Sequence, residues 1–229
     1  MSAIQEAEVS NLPQIRRKHA SFAKAGSKPS VDTKRLLDIF GASVALILCA
    51  PVLLMVFLSL SVFGNPIFSQ RRVGRDGKLF SCYKFRTMVN NAERVLEDYL
   101  RDNPAAQEEW LRNFKLAHDP RITPMGGFLR KSSLDELPQL FNVLRGDMSL
   151  VGPRPIVPAE VPRYAGRIQA YQKVRPGLTG LWQVSGRNLV SYRRRVALDT
   201  FYARERSIAL DVVILVKTVG VVIGGKGAS

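Results

Sequence analysis

The sequence predicts an α-dominated α+β fold joined to a membrane element. Three observations carry that expectation. Residues 39–63 form a 25-residue run without a charged side chain, broken at its centre by Pro51 and bounded by basic residues on both sides. Residues 65–89 change to a strand-like pattern around an Arg-Asp-Gly turn. Beyond residue 89 most of the chain has helical periodicity, interrupted by Gly/Pro turns. The chain divides into a disordered basic arm (1–33), a re-entrant helix–break–helix (34–64), and a domain of short strands and interfacial amphipathic helices (65–229).

The arm is polar and aperiodic, with a basic cluster at Arg16, Arg17 and Lys18, and reads as a disordered segment or an anionic-lipid contact. Its apolar successor starts too late and runs too long for a secretory signal. As one straight helix, residues 39–63 would reach ~37 Å, enough to cross a bilayer core of about 30 Å. Pro51 removes a backbone hydrogen bond at the midpoint. Lys34 and Arg35 on one flank, with Arg71 and Arg72 on the other, belong on the same side of the membrane by the positive-inside rule. Together these favour a helix pair that dips into one leaflet and returns. Asp38 should face Lys34 and Arg35 along the helix.

Phe68, Val73, Leu79, Phe80, Tyr83 and Phe85 mark short strands, and Lys84 and Arg86 should share a face. That face is either solvated or phosphate-binding. Residues 92–116 form a charged helix split at Asn103-Pro104, and Pro/Gly-rich loops continue to Gly127. Tyr192–Glu205 reads as a basic helix that is solvated or lies on headgroups, and 208–223 as an interfacial helix, because Asp211 and Lys217 weaken a second span.

The net charge of +15 points to a polyanionic partner: nucleic acid, an anionic lipid surface or phosphorylated small molecules. Cys49 lies within the apolar run, which argues against a disulfide with Cys82. His19 and His118 have no zinc-like spacing.

The chemistry concentrates in residues 129–155, where Asp135 and Glu136 sit between Arg130 and Lys131 on one side and Arg145 and Arg154 on the other. Ser133-Leu134-Asp135-Glu136 fits a capping box. Leu134, Leu137, Leu140, Phe141 and Leu144 then mark a buried helix face ended by Gly146. Asp135 in a first turn would be held ionised by the helix dipole. Pro138 predicts an irregular start. Glu136 could serve only the cap and Asp135 only the dipole. The surrounding cations, and Arg154 on its Pro-Arg-Pro turn, favour phosphate chemistry instead. Residues 175–188 are turn-rich, and Gln183 and Arg187 could read a base, ribose or sugar. Trp182 fits the core better than a stacking platform.

Seven stretches stand in order: KRLLD (34–38), the proline-broken helix, YKFRTM (83–88), DPRIT (119–123), LRKSSLDELPQL (129–140), GDMSLVGPRP (146–155) and RPGLTGLWQVSGRN (175–188). In this combination the chain resembles the bacterial sugar transferases, the monotopic polyprenyl-phosphate phosphoglycosyl transferases, and most closely their short exopolysaccharide-initiating members.

The resemblance implies a catalytic domain on the cytoplasmic face of the bacterial inner membrane. Its reaction would move a hexose 1-phosphate, galactose or glucose, from a UDP-sugar to undecaprenyl phosphate through a covalent aspartyl-phosphosugar, releasing UMP. Asp135 would be the nucleophile and a Mg²⁺ ligand, and Glu136 would assist. Lys84, Arg86, Arg130, Arg154, Gln183 and Arg187 would contact substrate phosphates or the nucleotide. Membrane lipids are expected partners, and the resemblance leaves room for a homodimer. The charge also fits a non-catalytic membrane adaptor or a membrane-tethered nucleic-acid binder. Against both, the basic residues lie among turns and beside carboxylates rather than along a stripe, so no nucleic-acid partner is expected.

Overall fold

A computed structural model of the chain describes residues 31–113, 116–186 and 190–224. Most of the basic arm lies outside them. The first element, α1 (Val31–Ser61), is one helical element with Pro51 inside it. The expected break between two helices is absent. The lost N–H affects a single turn, and α1 is held along its length on both sides of that turn. Ala42, with Ala45 and Leu46 beside it, packs against Phe80, Cys82, Leu140, Val143 and Met148. Beyond Pro51, Val56 and Leu60 pack against Phe85 and Leu129, supported by Val52 and Leu53. These positions recur at three- and four-residue spacing, so they form one stripe down the helix. The remaining faces expose Leu36, Phe40, Ile47, Leu48, Leu54, Met55 and Leu58 among others. Among the described residues, Thr33–Ser61 is the one helix long and apolar enough to cross a membrane by length and composition.

The predicted hairpin is present. Strands β1 (Ile67–Val73) and β2 (Leu79–Phe85) pair antiparallel, with Gln70 opposite Cys82 and Phe68 opposite Lys84. Asp76 and Gly77 turn the chain with positive φ. Phe80 and Cys82 are buried on the face that also carries Lys84. Helices α2 (Ala92–Asp102) and α3 (Pro104–Asn113) divide where Asn103-Pro104 predicted.

The segment expected to be loop up to Gly127 instead forms α4 (Pro124–Ser132), capped by Thr123, whose hydroxyl accepts from the Gly126 N–H at 2.9 Å. Gly126 is required there: a Cβ would lie 2.0 Å from the Thr87 carbonyl oxygen. The glycine is therefore an inter-element contact rather than a turn signal.

A short parallel pair joins β3 (Ser149–Val151) to β4 (Gly177–Thr179). Two short helices, α6 (Val161–Tyr164) and α7 (Ile168–Gln172), lie between these strands. Helix α8 (Tyr192–Glu205) departs from the solvated or headgroup-lying reading. Val196, Leu198, Asp199, Thr200 and Tyr202 are buried in it, because its apolar face completes two core clusters with Trp182, Leu181, Tyr164 and Tyr171. Helix α9 (Ile208–Gly224) leaves Val212, Val216 and Val219 exposed.

Among the described residues Asp38 forms no ion pair with Lys34 or Arg35, although it lines one cleft with Lys34. Its carboxylate accepts from the Ser149 hydroxyl (2.9 Å) and the Leu150 N–H (3.0 Å), which locks α1 onto β3. Lys34 pairs with Asp211 of α9 at 2.6 Å, and Arg35 donates to the Val143 and Leu144 carbonyls. A buried acceptor that satisfies two donors outweighs a neighbouring surface ion pair.

Candidate active site

Helix α5 (Gln139–Arg145) begins after a 3₁₀ turn, Leu134–Glu136, so the irregular start signalled by Pro138 is observed. The capping box is not formed. Ser133 adopts a left-handed conformation that closes α4, and its side chain caps nothing. Phe141 points outward at 52% exposure, while Leu140 and Val143 are buried with two polar residues, Gln139 and Asn142. Gly146 ends the helix with φ 91°, as its position predicted.

Asn142 explains the departure from a purely apolar face. Its Nδ2 donates to the Ser81 carbonyl at 2.7 Å, and its Oδ1 accepts from the Tyr83 N–H at 3.0 Å. This side chain continues the hydrogen bonding of β2 and fixes α5 against that strand. The preceding turn is thereby placed opposite Lys84. Lys84 Nζ donates to Glu136 Oε1 at 2.7 Å and lies 3.9 Å from Asp135 Oδ2. Asn142 was not singled out from sequence. The signal was an amide in the middle of an apolar helix face.

Asp135 is 8% exposed. Burial pushes its carboxyl up to about 6, against the pull of Lys84, with Glu136 pushing the same way as burial and Arg130 opposing it. The expected ionisation by a helix dipole is therefore not what governs this group. A 3₁₀ turn of three residues supplies little dipole, and desolvation dominates. Arg130, on the last turn of α4, donates from Nε to the Thr87 hydroxyl at 2.9 Å and is near enough to Asp135 to act on its charge. Its partner Thr87 was also missed. Residues Lys84, Arg130, Asp135 and Glu136 thus form one cluster.

Arg154 belongs to a second cluster. The Arg154 guanidinium lies 5.5 Å from the Trp182 ring centroid, and Arg195 lies 5.0 Å from the same ring. Trp182 is 5% exposed and part of the core, as expected. Gln183 follows it in a short 3₁₀ turn. Arg72 and Arg195 join this cluster, facing Glu160 at 3.8 and 3.6 Å. Neither was a sequence candidate, although Arg72 directly follows Arg71 on a predicted strand. Buried Cys82 senses Lys84, Arg72, Glu136 and Arg154 together, and burial raises its thiol to about 11. In the strand register Arg72 stands opposite Phe80, so Arg72 of the second cluster and Lys84 of the first flank Cys82 on one face of the hairpin. Arg86 stands apart, donating to the Asn65 carbonyl at 2.8 Å and lying over Phe68. Arg187 lies outside the described residues.

Among the described residues there is no group of three or more His, Cys, Asp or Glu side chains able to hold a metal. Asp135 and Glu136 offer two carboxylates, a donor set that suits a hard cation sharing its shell with substrate phosphates and water.

Chemically, the first cluster can present a carboxylate oxygen to an electrophilic phosphorus while two fixed cations offset the repulsion. The comparisons with known proteins point the same way. The chain is 53% identical over 196 residues to a UDP-galactose-lipid carrier transferase of Erwinia amylovora, covering 85% of this chain and 41% of that protein. It is 49% identical over 197 residues to exopolysaccharide production protein ExoY of Rhizobium meliloti, covering 85% and 87%. It is 39% identical over 198 residues to a UDP-glucose:undecaprenyl-phosphate glucose-1-phosphate transferase of Klebsiella pneumoniae, covering 81% and 39%. It thus spans about two fifths of the first and third of these relatives and most of the second. The family profile described as bacterial sugar transferase matches residues 30–225, and the chain belongs to that family.

Proposed function

We propose that this protein transfers a hexose 1-phosphate from a UDP-sugar to undecaprenyl phosphate, with Asp135 as nucleophile. The observation that carries the reading is the buried Asp135 carboxylate beside Lys84 and within the field of Arg130. An Asp135 oxygen attacks the β-phosphorus of the donor, and the bond to the oxygen bridging the α-phosphate breaks. UMP leaves with that oxygen, and the sugar phosphate remains as an acyl phosphate on Asp135. A phosphate oxygen of the lipid then attacks the same phosphorus and displaces the carboxylate. Lys84 and Arg130 hold phosphate oxygens and neutralise charge through both displacements. Glu136 keeps Lys84 oriented and can take up a proton.

Mg²⁺ fits the Asp135–Glu136 pair and would neutralise diphosphate charge when bound. The second cluster, with Arg154 and with Gln183 next to Trp182 in sequence, suits the nucleotide end of the donor, because Arg72 of that cluster lies farther along the hairpin face that carries Lys84. Galactose is the preferred sugar in this reading, since the more similar relative bears that sugar in its name and glucose belongs to the more distant one.

The reading keeps α1 within one leaflet of the inner membrane, docked on the domain along the cytoplasmic face rather than crossing the bilayer. Packing along α1 supports this. The same domain contacts the helix on both sides of Pro51, and a fully spanning helix would carry one of those contacts into the lipid. The exposed apolar faces of α1 are then covered by acyl chains, and the site sits where a soluble donor meets a lipid acceptor.

The test is UMP release from a panel of UDP-sugars by detergent-solubilised protein with undecaprenyl phosphate and Mg²⁺. Release with one or two sugars, lost with EDTA and in Asp135→Asn, is the expected result. Folded protein that releases UMP from none of them overturns the proposal.

A further inference from the structure

A cleft at the opposite end of α5 plays no part in the reaction proposed above. It is lined by Lys34, Arg75, Lys173, Arg175 and Arg206, with Asp38 as the one carboxylate among its charged residues. These cations come from α1, the hairpin turn, the segment before β4 and the α8–α9 junction, so the fold gathers them from distant parts of the sequence. Several are only partly engaged. Lys34 pairs with Asp211 at 2.6 Å, Arg75 with the exposed Asp76 at 3.2 Å, and Arg175 uses Nε on the Gly146 carbonyl at 2.8 Å. Among the described residues the Lys173 and Arg206 side chains have no hydrogen-bond or ion-pair partner. Asp38 uses Oδ1 on the Ser149 hydroxyl and the Leu150 N–H, and its single negative charge faces five cations.

Like charges crowd this place. The Arg175 guanidinium is pushed below its ordinary value, first by burial and then by Arg75 and Arg35. An anion in the cleft would relieve that repulsion. The cleft opens at the start of α1, whose other faces expose Leu36 and Phe40 at 69% and 70%.

We infer that this cleft is a second phosphate-binding site, separate from Asp135 and Glu136, which takes a phosphate oxyanion carried by an anionic phospholipid or free in solution. Gly146, which Arg175 contacts, and Glu136 lie at opposite ends of α5, on the order of 15 Å apart at helical rise. Guanidinium and ammonium groups in one concave site suit phosphate oxygens. The site would bind its ligand whether or not the transfer reaction proceeds, so its test reads binding alone.

The full chain in neutral detergent is titrated with short-chain phosphatidylglycerol, short-chain phosphatidylcholine and inorganic phosphate at matched ionic strength, and its thermal unfolding midpoint is followed. The double variant Lys173→Glu/Arg206→Glu is compared with Arg94→Glu/Arg193→Glu, which makes the same charge change at exposed positions outside the cleft. The expected result is a saturable rise with phosphatidylglycerol and none with phosphatidylcholine. The cleft variant should weaken it at least about tenfold and the control variant less than about twofold. A rise with inorganic phosphate that the cleft variant also removes assigns the site to free phosphate as well. A rise that both doubles weaken equally, or that survives in the cleft variant, overturns the inference, as does the absence of any saturable rise. Matching circular dichroism and elution volume in the two doubles show that folding does not account for the difference.

Discussion

The two ends of helix α5 carry the same kinds of charged group and use them differently. At the C-terminal end the cations act on the backbone. Gly146 turns the chain, Arg35 donates to the Val143 and Leu144 carbonyls, and Arg175 donates to the Gly146 carbonyl. At the N-terminal end the charged groups face one another. Lys84 sits between two carboxylates, at 2.7 Å from Glu136 and 3.9 Å from Asp135, and burial holds the Asp135 carboxyl at about 6. Cations bound to main-chain carbonyls stabilise a helix terminus. A carboxylate kept from water beside incompletely matched cations is instead ready for a phosphate that completes the match.

The strongest test of this contrast is Asp135→Asn. Transfer should fall by at least about three orders of magnitude, as expected for loss of a nucleophile, while the folded protein becomes more stable at pH 7.5. The sign follows from the raised value. Below pH 4 the wild-type carboxyl is protonated both folded and unfolded, and it costs nothing. Between about 4 and about 6 the unfolded chain ionises while the folded one resists, so wild-type stability falls as pH rises. Above about 6 the full penalty remains, about 1–3 kcal/mol, and the amide avoids it. Urea unfolding of both proteins at pH 4 and pH 7.5 checks this. A variant less stable than wild type at pH 7.5 would mean that Lys84 and Arg130 already match the charge, and the contrast between the two ends would disappear.

Lys84→Met sharpens the same point with a smaller effect. Lys84 is the largest influence lowering the Asp135 value, so its removal moves the acidic limb of the rate–pH profile upward from about 6. The rate at neutral pH should drop by about 10- to 100-fold. Measuring kcat/KM between pH 5 and 9 separates this from a purely structural loss, which would lower the whole curve without moving its limb.

Much of this arrangement was legible in the sequence. The Arg-Asp-Gly turn, the Asn103-Pro104 break and the αL glycine at 146 are local backbone requirements, and each appears where composition placed it. Juxtaposition was harder to read. Gly126 resembled a loop residue because its reason, the Thr87 backbone against it, lies 39 positions earlier in the sequence. Asp38 was assigned to its helical neighbours because its actual partners, Ser149 and Leu150, are more than a hundred residues away. The Asp135–Glu136 pair was found because the two carboxylates are adjacent and surrounded by cations. Asn142 and Thr87 were missed because they act through other residues. The state of Asp135 was misjudged for a related reason: a capping box and a dipole are local features, whereas burial depends on what packs above.

The smallest expected effects lie at the C-terminal end, and they must leave the chemistry untouched. Arg35→Ala removes two charged hydrogen bonds and leaves the partly buried Leu144 carbonyl without its donor, while Val143 keeps the Gly146 N–H, which should cost about 2 kcal/mol. Gly146→Ala meets no obstacle, since the new Cβ would stand 3.5 Å from the Arg35 guanidinium. Its cost is the left-handed backbone alone, about 1 kcal/mol. Both variants should unfold at lower denaturant concentration with the acidic limb of the rate–pH profile still near 6, because neither touches the groups that set Asp135. A shifted limb in Gly146→Ala would show that helix α5 transmits its C-terminal geometry to the turn before it. Asp135 would then depend on the whole helix for its environment, and the cations at the far end would belong to the reaction rather than to the fold.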